Sequence, residues 1–162
     1  MKKVFSINLE PGYRNYTVRD LIDLKGKRKL TQILVSSPEE ASAAQEAKID
    51  LLLVRPSNDL RKIREAASKT FMTVAVPFIN YSSKTDIVKK ALELVEIGAD
   101  SIHCGSWNLN FMKYLNEFKI PFQGHAGLVP RRSTWIGGVR AFGKTSIEAI
   151  QLYNDIKDIE AT

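Results

Sequence analysis

Two histidines carry most of the chemistry this chain can offer, and it has no others. His125 follows the apolar run Ile120 to Gln123 and stands in Gly124-His125-Ala126-Gly127-Leu128-Val129-Pro130. The glycines around it let a ligand come close to the backbone. A loop with Gly137-Gly138, Arg140, Lys144 and Thr145 comes next. Glycine N–H groups and two cations suit a carboxylate or phosphate; a plain flexible connection is the other reading. The spacing before Lys144 is not that of a P-loop. His103 is followed by Cys104. Neighbours in a strand point to opposite faces, so these two cannot share a ligand. That leaves at most two converging metal ligands, short of the three or four of a Zn²⁺ site. The alternative for both imidazoles is a hydrogen-bonded place in a layer at the strand ends. Ser57 and Ser106 have no Ser-His-Asp context for a nucleophile. Trp107 and Trp135 read as core or interface packing rather than stacking platforms.

The elements that must position these residues alternate. Apolar strands are expected at Leu30 to Val35, Ile49 to Val54, Phe71 to Val76, Ser101 to Cys104 and Ile120 to Gln123. Between them lie helices: one opening at Pro38 with Ser37 as N-cap, one capped by Asn58 and running through Ser68, one over Lys84 to Ile97 ending at Gly98, and one over Leu109 to Phe118. A last helix spans Ser146 to Ile159. Such alternation predicts a parallel sheet with right-handed crossovers. His103 and His125 then stand at the ends of adjacent strands, facing the crevice where parallel α/β folds bind ligands. The chain reads as one domain, 1–162, with an N-terminal segment over 1–28 and five βα units over 29–162. A complete (β/α)8 barrel takes about 250 residues, so the residues alone favour an open sheet.

Composition narrows the function classes. The chain has 162 residues, 44% hydrophobic and 26% charged, an ordinary balance for a folded domain. No apolar run approaches the roughly 20 residues of a membrane span. The single cysteine excludes an intrachain disulfide and fits a reducing cytoplasm. The net charge of +6 invites an anionic partner. Its densest run, Lys25 to Lys29, reads as a solvated loop, as Arg131-Arg132 reads as surface. Nothing interleaves aromatics with a basic face, so no nucleic acid is expected.

The ordered pieces resemble the ketopantoate hydroxymethyltransferase family. They are the Gly124 to Lys144 segment, Thr17-Val18-Arg19-Asp20-Leu21, Ala47 to Val54, Val76-Pro77-Phe78 and Gly98-Ala99-Asp100-Ser101-Ile102. The resemblance implies part of a TIM barrel of the PEP mutase/isocitrate lyase-type superfamily, and an aldol-type one-carbon transfer to a 2-oxo acid in pantothenate biosynthesis. It implies Mg²⁺ and methylenetetrahydrofolate as cofactors only if that activity is retained. The positions matching the family's metal-binding acids hold Pro56, Ala75 and Gly105. Neither Pro nor Ala offers the hard oxygen that Mg²⁺ requires; Asp59 replaces Pro56 only if the loop shifts by three residues. The family's strand-four lysine falls on His103. The resemblance therefore leaves His125 and His103 as catalytic candidates, Ser57, Arg140, Gly137 and Gly138 as substrate-binding candidates around one crevice, and no bound divalent metal. A small 2-oxo acid or other carboxylate is the expected ligand. The rival function is non-catalytic: a small-acid-binding or assembly paralogue. The uncharged apolar strands at the sheet's two edges predict a homo-oligomer or a partner chain, unless the segment Val4 to Tyr16 folds over one of them.

Overall fold

The described part of the computed structural model comprises residues 1–76, 80–105, 109–130 and 133–162. Pro77, Phe78, Ser106, Trp107, Arg131 and Arg132, singled out in the sequence, lie outside it. A hairpin of β1 (Lys2–Phe5) and β2 (Pro11–Arg14) leads into α1 (Val18–Leu24). The alternating units follow: β3 (Gln32–Val35), α2 (Pro38–Glu46), β4 (Leu51–Val54), α3 (Leu60–Ala66), β5 (Phe71–Ala75), α4 (Lys84–Ile97), β6 (Ser101–Gly105), α5 (Leu109–Glu117), β7 (Phe122–His125) and α6 (Ser146–Glu160). The strands β3 to β7 pair in parallel and in sequential order, β3-β4-β5-β6-β7. That order belongs to a run of barrel-type βα units; a doubly wound sheet reverses its strand order. The open-sheet expectation gives way to the barrel-type one.

Side-chain alternation divides the sheet into two faces. Leu52, Val54, Met72, Val74, Ile102 and Cys104 form its buried outer face with the helices packed on it. Leu51, Phe71, Thr73, Ser101 and Gln123 face inward and line a cavity of about 770 Å³, which α1 flanks with Val18, Leu21 and Ile22. Thr73 and Ser101 share a 2.7 Å hydroxyl hydrogen bond on this inner face.

Two strands, β4 and β7, enter later than their apolar runs suggest, because of a helix ending that the chain uses three times. Lys48, Gly98 and Lys119 take positive φ values of 59°, 108° and 55° after α2, α4 and α5. The next N–H then folds back five residues: Ile49 to the Ala44 carbonyl, Ala99 to Leu94 and Ile120 to Leu115. This is the Schellman closure of a helix. Ile49 and Ile120 are therefore used to end helices, and β4 and β7 start after them. As a result β7 covers Phe122–His125, and His125 lies inside the strand.

Two further expectations are corrected. Asp59, not Asn58, occupies the N-cap of α3, and makes no capping bond because its carboxylate turns to Lys62 Nζ at 2.8 Å. The N-terminal segment is ordered but does not cover an edge strand. It docks at the N-terminal ends of the strands, where Arg14 pairs with Asp100 and Asn15 binds the Asp50 carbonyl and the Phe71 N–H.

Candidate functional site

Parallel register brings the two histidines together. His103 pairs with Gln123, and Gly105 with His125, so both imidazoles rise from the inner face near the C-terminal ends of β6 and β7. Their ring centroids are 5.3 Å apart with 33° between the planes. His125 Nε2 lies 3.0 Å from the Leu128 carbonyl oxygen. A carbonyl only accepts, so Nε2 donates and Nδ1 keeps its lone pair in the neutral ring. Gly127, at φ 79°, provides the turn that brings the Leu128 carbonyl back to the ring. His103 Nδ1 is buried and, among the described residues, has no hydrogen-bond partner. Burial, and then the neighbouring His125, lower the His103 pKa below the ordinary imidazole value. Cys104, on the opposite face, is buried in the core, and burial pushes its thiol pKa up. It is an inert packing group.

The other candidates are placed differently. Ser57 is exposed beyond the end of β4, where its carbonyl accepts the Leu60 N–H at 3.3 Å. Gly137 and Gly138 are exposed with φ of 80° and 112°, and the Gly138 N–H is taken by the Ser133 carbonyl at 2.6 Å. Arg140 is engaged within its own loop. Its Nε donates to the Ile136 carbonyl at 2.8 Å and its Nη2 to Glu148 Oε1 at 2.6 Å. No hydrogen bond or ring contact joins Ser57, Gly137, Gly138 or Arg140 to either histidine. Trp135 is 83% exposed, so it is not a core residue.

Glu148 is the residue that sequence reasoning missed. Its Oε2 also accepts the Gly143 and Lys144 N–H groups, each at 3.2 Å. The Arg140 guanidinium, more than these N–H groups, holds its carboxyl at about 2. The Thr145–Glu148 spacing signals the N-cap that Thr145 provides to α6, but the Glu148 carboxylate goes to Arg140 and the Gly143 and Lys144 N–H groups, which that spacing does not foretell.

Mg²⁺ does not fit the donor set. Pro56 and Ala75 have no side-chain oxygen, and Gly105 has no side chain. Asp59, the acid nearest after β4, is paired with Lys62. Among the described residues no group of three His, Cys, Asp or Glu side chains converges on one point.

The comparisons with known proteins bear on the same segment. The family model described as ketopantoate hydroxymethyltransferase matches residues 57–162. The 3-methyl-2-oxobutanoate hydroxymethyltransferase of Kosmotoga olearia is 31% identical over 88% of this chain and 62% of its own. That of Pyrococcus abyssi is 29% identical over 91% and 60%, and that of Pseudoalteromonas translucida 32% over 62% and 39%. The chain spans about three fifths of the first two relatives' length. With the sequential parallel sheet and a family match over residues 57–162 that includes both histidine strands, the chain belongs to the ketopantoate hydroxymethyltransferase family.

Proposed function

We propose that this chain binds a small 2-oxo acid, such as 3-methyl-2-oxobutanoate, in the crevice at the ends of β6 and β7, and does so without Mg²⁺. One observation carries the reading: two imidazoles face each other where the family's acids are replaced by Pro56, Ala75 and Gly105. His125, fixed through the Leu128 carbonyl, offers an orientated ring. His103 offers a neutral imidazole on a rigid strand. Hydroxymethyl transfer from methylenetetrahydrofolate in the family's Mg²⁺-assisted manner is the activity that this donor set does not support. A cytoplasmic location goes with the reading, since the one cysteine is a free, buried thiol.

Calorimetric titration tests it. The 2-oxo acid is expected to release heat on binding, and Mg²⁺ alone none. Heat from Mg²⁺ alone, together with hydroxymethyl transfer when folate is supplied, would overturn the reading.

A second proposal concerns partners. Ile33 and Leu34 on β3 are 43% and 45% exposed, and α6 exposes Ile147, Ile150, Tyr153 and Ile156. Apolar margins on both sides of the sheet support association with a second copy or a partner chain. No helix among the described residues is long and apolar enough to cross a membrane. Sedimentation equilibrium at micromolar concentration is expected to show a species larger than 18.2 kDa, or a complex with another chain. A lone 18.2 kDa species would reject the proposal.

A further inference from the structure

We infer that the inner-face cavity of the sheet is a second ligand site, one that takes an amphipathic anion: an aliphatic chain ending in a carboxylate. It lies at the opposite end of the strands from the histidines. Leu51, Phe71, Ser101 and Phe122, each the first residue of its strand, line it, and neither histidine does. The site is therefore separate from the strand-end crevice and does not rest on the 2-oxo acid reading.

The walls point to the tail. α1 carries Val18, Leu21 and Ile22 at the i, i+3, i+4 spacing of an apolar stripe. Such a stripe normally packs into a core, yet α1 buries none of its residues. Its stripe borders the cavity, together with Leu30, Leu51 and Phe122. Val18 and Ile22 stay 37% and 60% exposed. The cavity of about 770 Å³ falls in the range of roughly 300–1,000 Å³ typical of small-molecule sites. Its uncharged polar side chains are already partnered. Thr73 and Ser101 bond to each other, and Gln123 bonds to Gln32. A hydrocarbon chain laid against α1 thus removes apolar surface from water and leaves those pairs intact.

The charges point to the head. Among the described residues, the charged side chains on the lining are Lys25 and Arg28, and no acid joins them. Lys25 holds Glu160 and Arg28 holds Asp50, neither of which lines the cavity. Both cations are more than half exposed, and each has further N–H donors beyond the one in its ion pair. Lys27 and Lys29 extend the positive run. An ammonium and a guanidinium at the rim of an apolar cavity suit a carboxylate whose tail lies inside. The basic run Lys25 to Lys29, which the strand-end crevice leaves unused, gains a role here.

Octanoate below its micelle concentration is the probe, followed by calorimetry. One octanoate per chain is expected. Along the series butanoate, hexanoate, octanoate, binding should tighten about 4-fold per methylene. Octan-1-ol should bind about 10-fold more weakly than octanoate at low salt, and the double variant Lys25→Gln/Arg28→Gln should lose that preference. Val18→Trp, at an exposed position, fills the cavity mouth and should weaken octanoate at least 10-fold. Should a variant fail to fold, methyl NMR of the wild-type chain gives the same answer. Leu21 and Leu51 resonances should shift with octanoate, while Leu94 and Leu115 of the outer core and the rings of His103 and His125 stay put. No binding, several weak sites per chain, equal affinity for octanoate and octan-1-ol, or shifts at the imidazoles in place of Leu21 and Leu51 would each overturn the inference. An oligomer that takes up no octanoate overturns it too, and gives the cavity to the contact between copies. Titration of 3-methyl-2-oxobutanoate into octanoate-saturated protein keeps the two readings apart: undiminished heat supports two sites, and competition overturns the second.

Discussion

Gln32 and Gln123 exchange both amide hydrogen bonds, Nε2 to Oε1 at 3.2 Å in one direction and 3.3 Å in the other. They stand on the first and last strands of the five-stranded sheet. In a flat sheet those strands would lie about 19 Å apart, four spacings of about 4.8 Å, beyond the reach of two glutamines. The sheet must therefore curl, and the pair marks its curvature. Lys25 and Glu160 meet at 2.5 Å and tie α1 to the end of α6.

The amide pair is exposed, so its net worth is modest. Gln32→Ala and Gln123→Ala should each lose about 1 kcal/mol. The double variant should lose little more than either alone, since both remove one interaction. Urea denaturation of the four proteins decides. Fully additive losses would mean that the pair does not hold the curl.

Gly124 on β7 is a packing requirement. A Cβ there would meet Ile159 Cγ2 at 2.7 Å, within the interface between β7 and α6. Gly124→Ala should cost about 1–3 kcal/mol through overpacking. Ile159→Ala removes the clashing methyl, so the double variant should be less than additive. Additive thermal-unfolding losses would place the effect elsewhere.

Much of this frame was legible in the sequence. The helix Lys84–Ile97 and its Gly98 end, the Ser37 cap and the alternation of strands and helices follow from periodicity and capping chemistry, whereas the sequential strand order needed the family resemblance as well. The strand starts were not legible. Ile49 and Ile120 look like strand residues, and only tertiary context shows that their N–H groups close the preceding helices. The hairpin was missed because it is held by long-range bonds from Arg14 and Asn15, which local patterning does not contain. For the site, adjacency of His103 and His125 was readable from strand alternation. The capture of Arg140 by Glu148 was not, because it depends on how the Gly137-Gly138 loop folds back on α6.

Asp100 binds the hairpin to the N-terminal ends of the strands. It pairs with Arg14 at 2.8 Å and Arg64 at 3.1 Å, and accepts the Met72 N–H at 2.8 Å. Arg64 is itself buried, and burial lowers its pKa to about 10 despite Asp100. Removing the carboxylate leaves a buried guanidinium uncompensated. Asp100→Ala should cost about 3–5 kcal/mol. Arg14→Ala should cost less, because Arg64 remains paired. Equal losses in guanidinium unfolding would count against this order.

Acid should loosen the N-terminal segment through Asp50. Burial raises the pKa of this carboxyl. The Thr31 N–H, the hydroxyls of Tyr16 and Thr31, and Arg28 outweigh it, and the net shift is downward. A depressed folded-state value means stability that is present above the ordinary carboxylate pKa of about 4 and lost as pH falls through the folded one. Asp50→Asn should remove most of this dependence. Unfolding midpoints measured from pH 7 down to 3 check it; a wild-type curve parallel to that of Asp50→Asn would contradict it.

His103 should titrate below an ordinary histidine. Burial disfavours its charged form first, and the neighbouring His125 adds to that. Its ring proton resonance should therefore show a midpoint under about 6.5. The unfolded chain takes up this proton before the folded one does. His103 consequently contributes a stability that is fully present above about pH 6.5 and declines as pH falls below it. His125→Gln removes only the second cause, so the His103 midpoint should rise part of the way and stay below the ordinary value. Proton NMR over pH 4–8 on both proteins reads this directly. A His103 midpoint at or above 6.5 in the wild-type chain would refute the burial argument, and an unchanged midpoint in the variant would show that the 5.3 Å ring approach carries no electrostatic coupling.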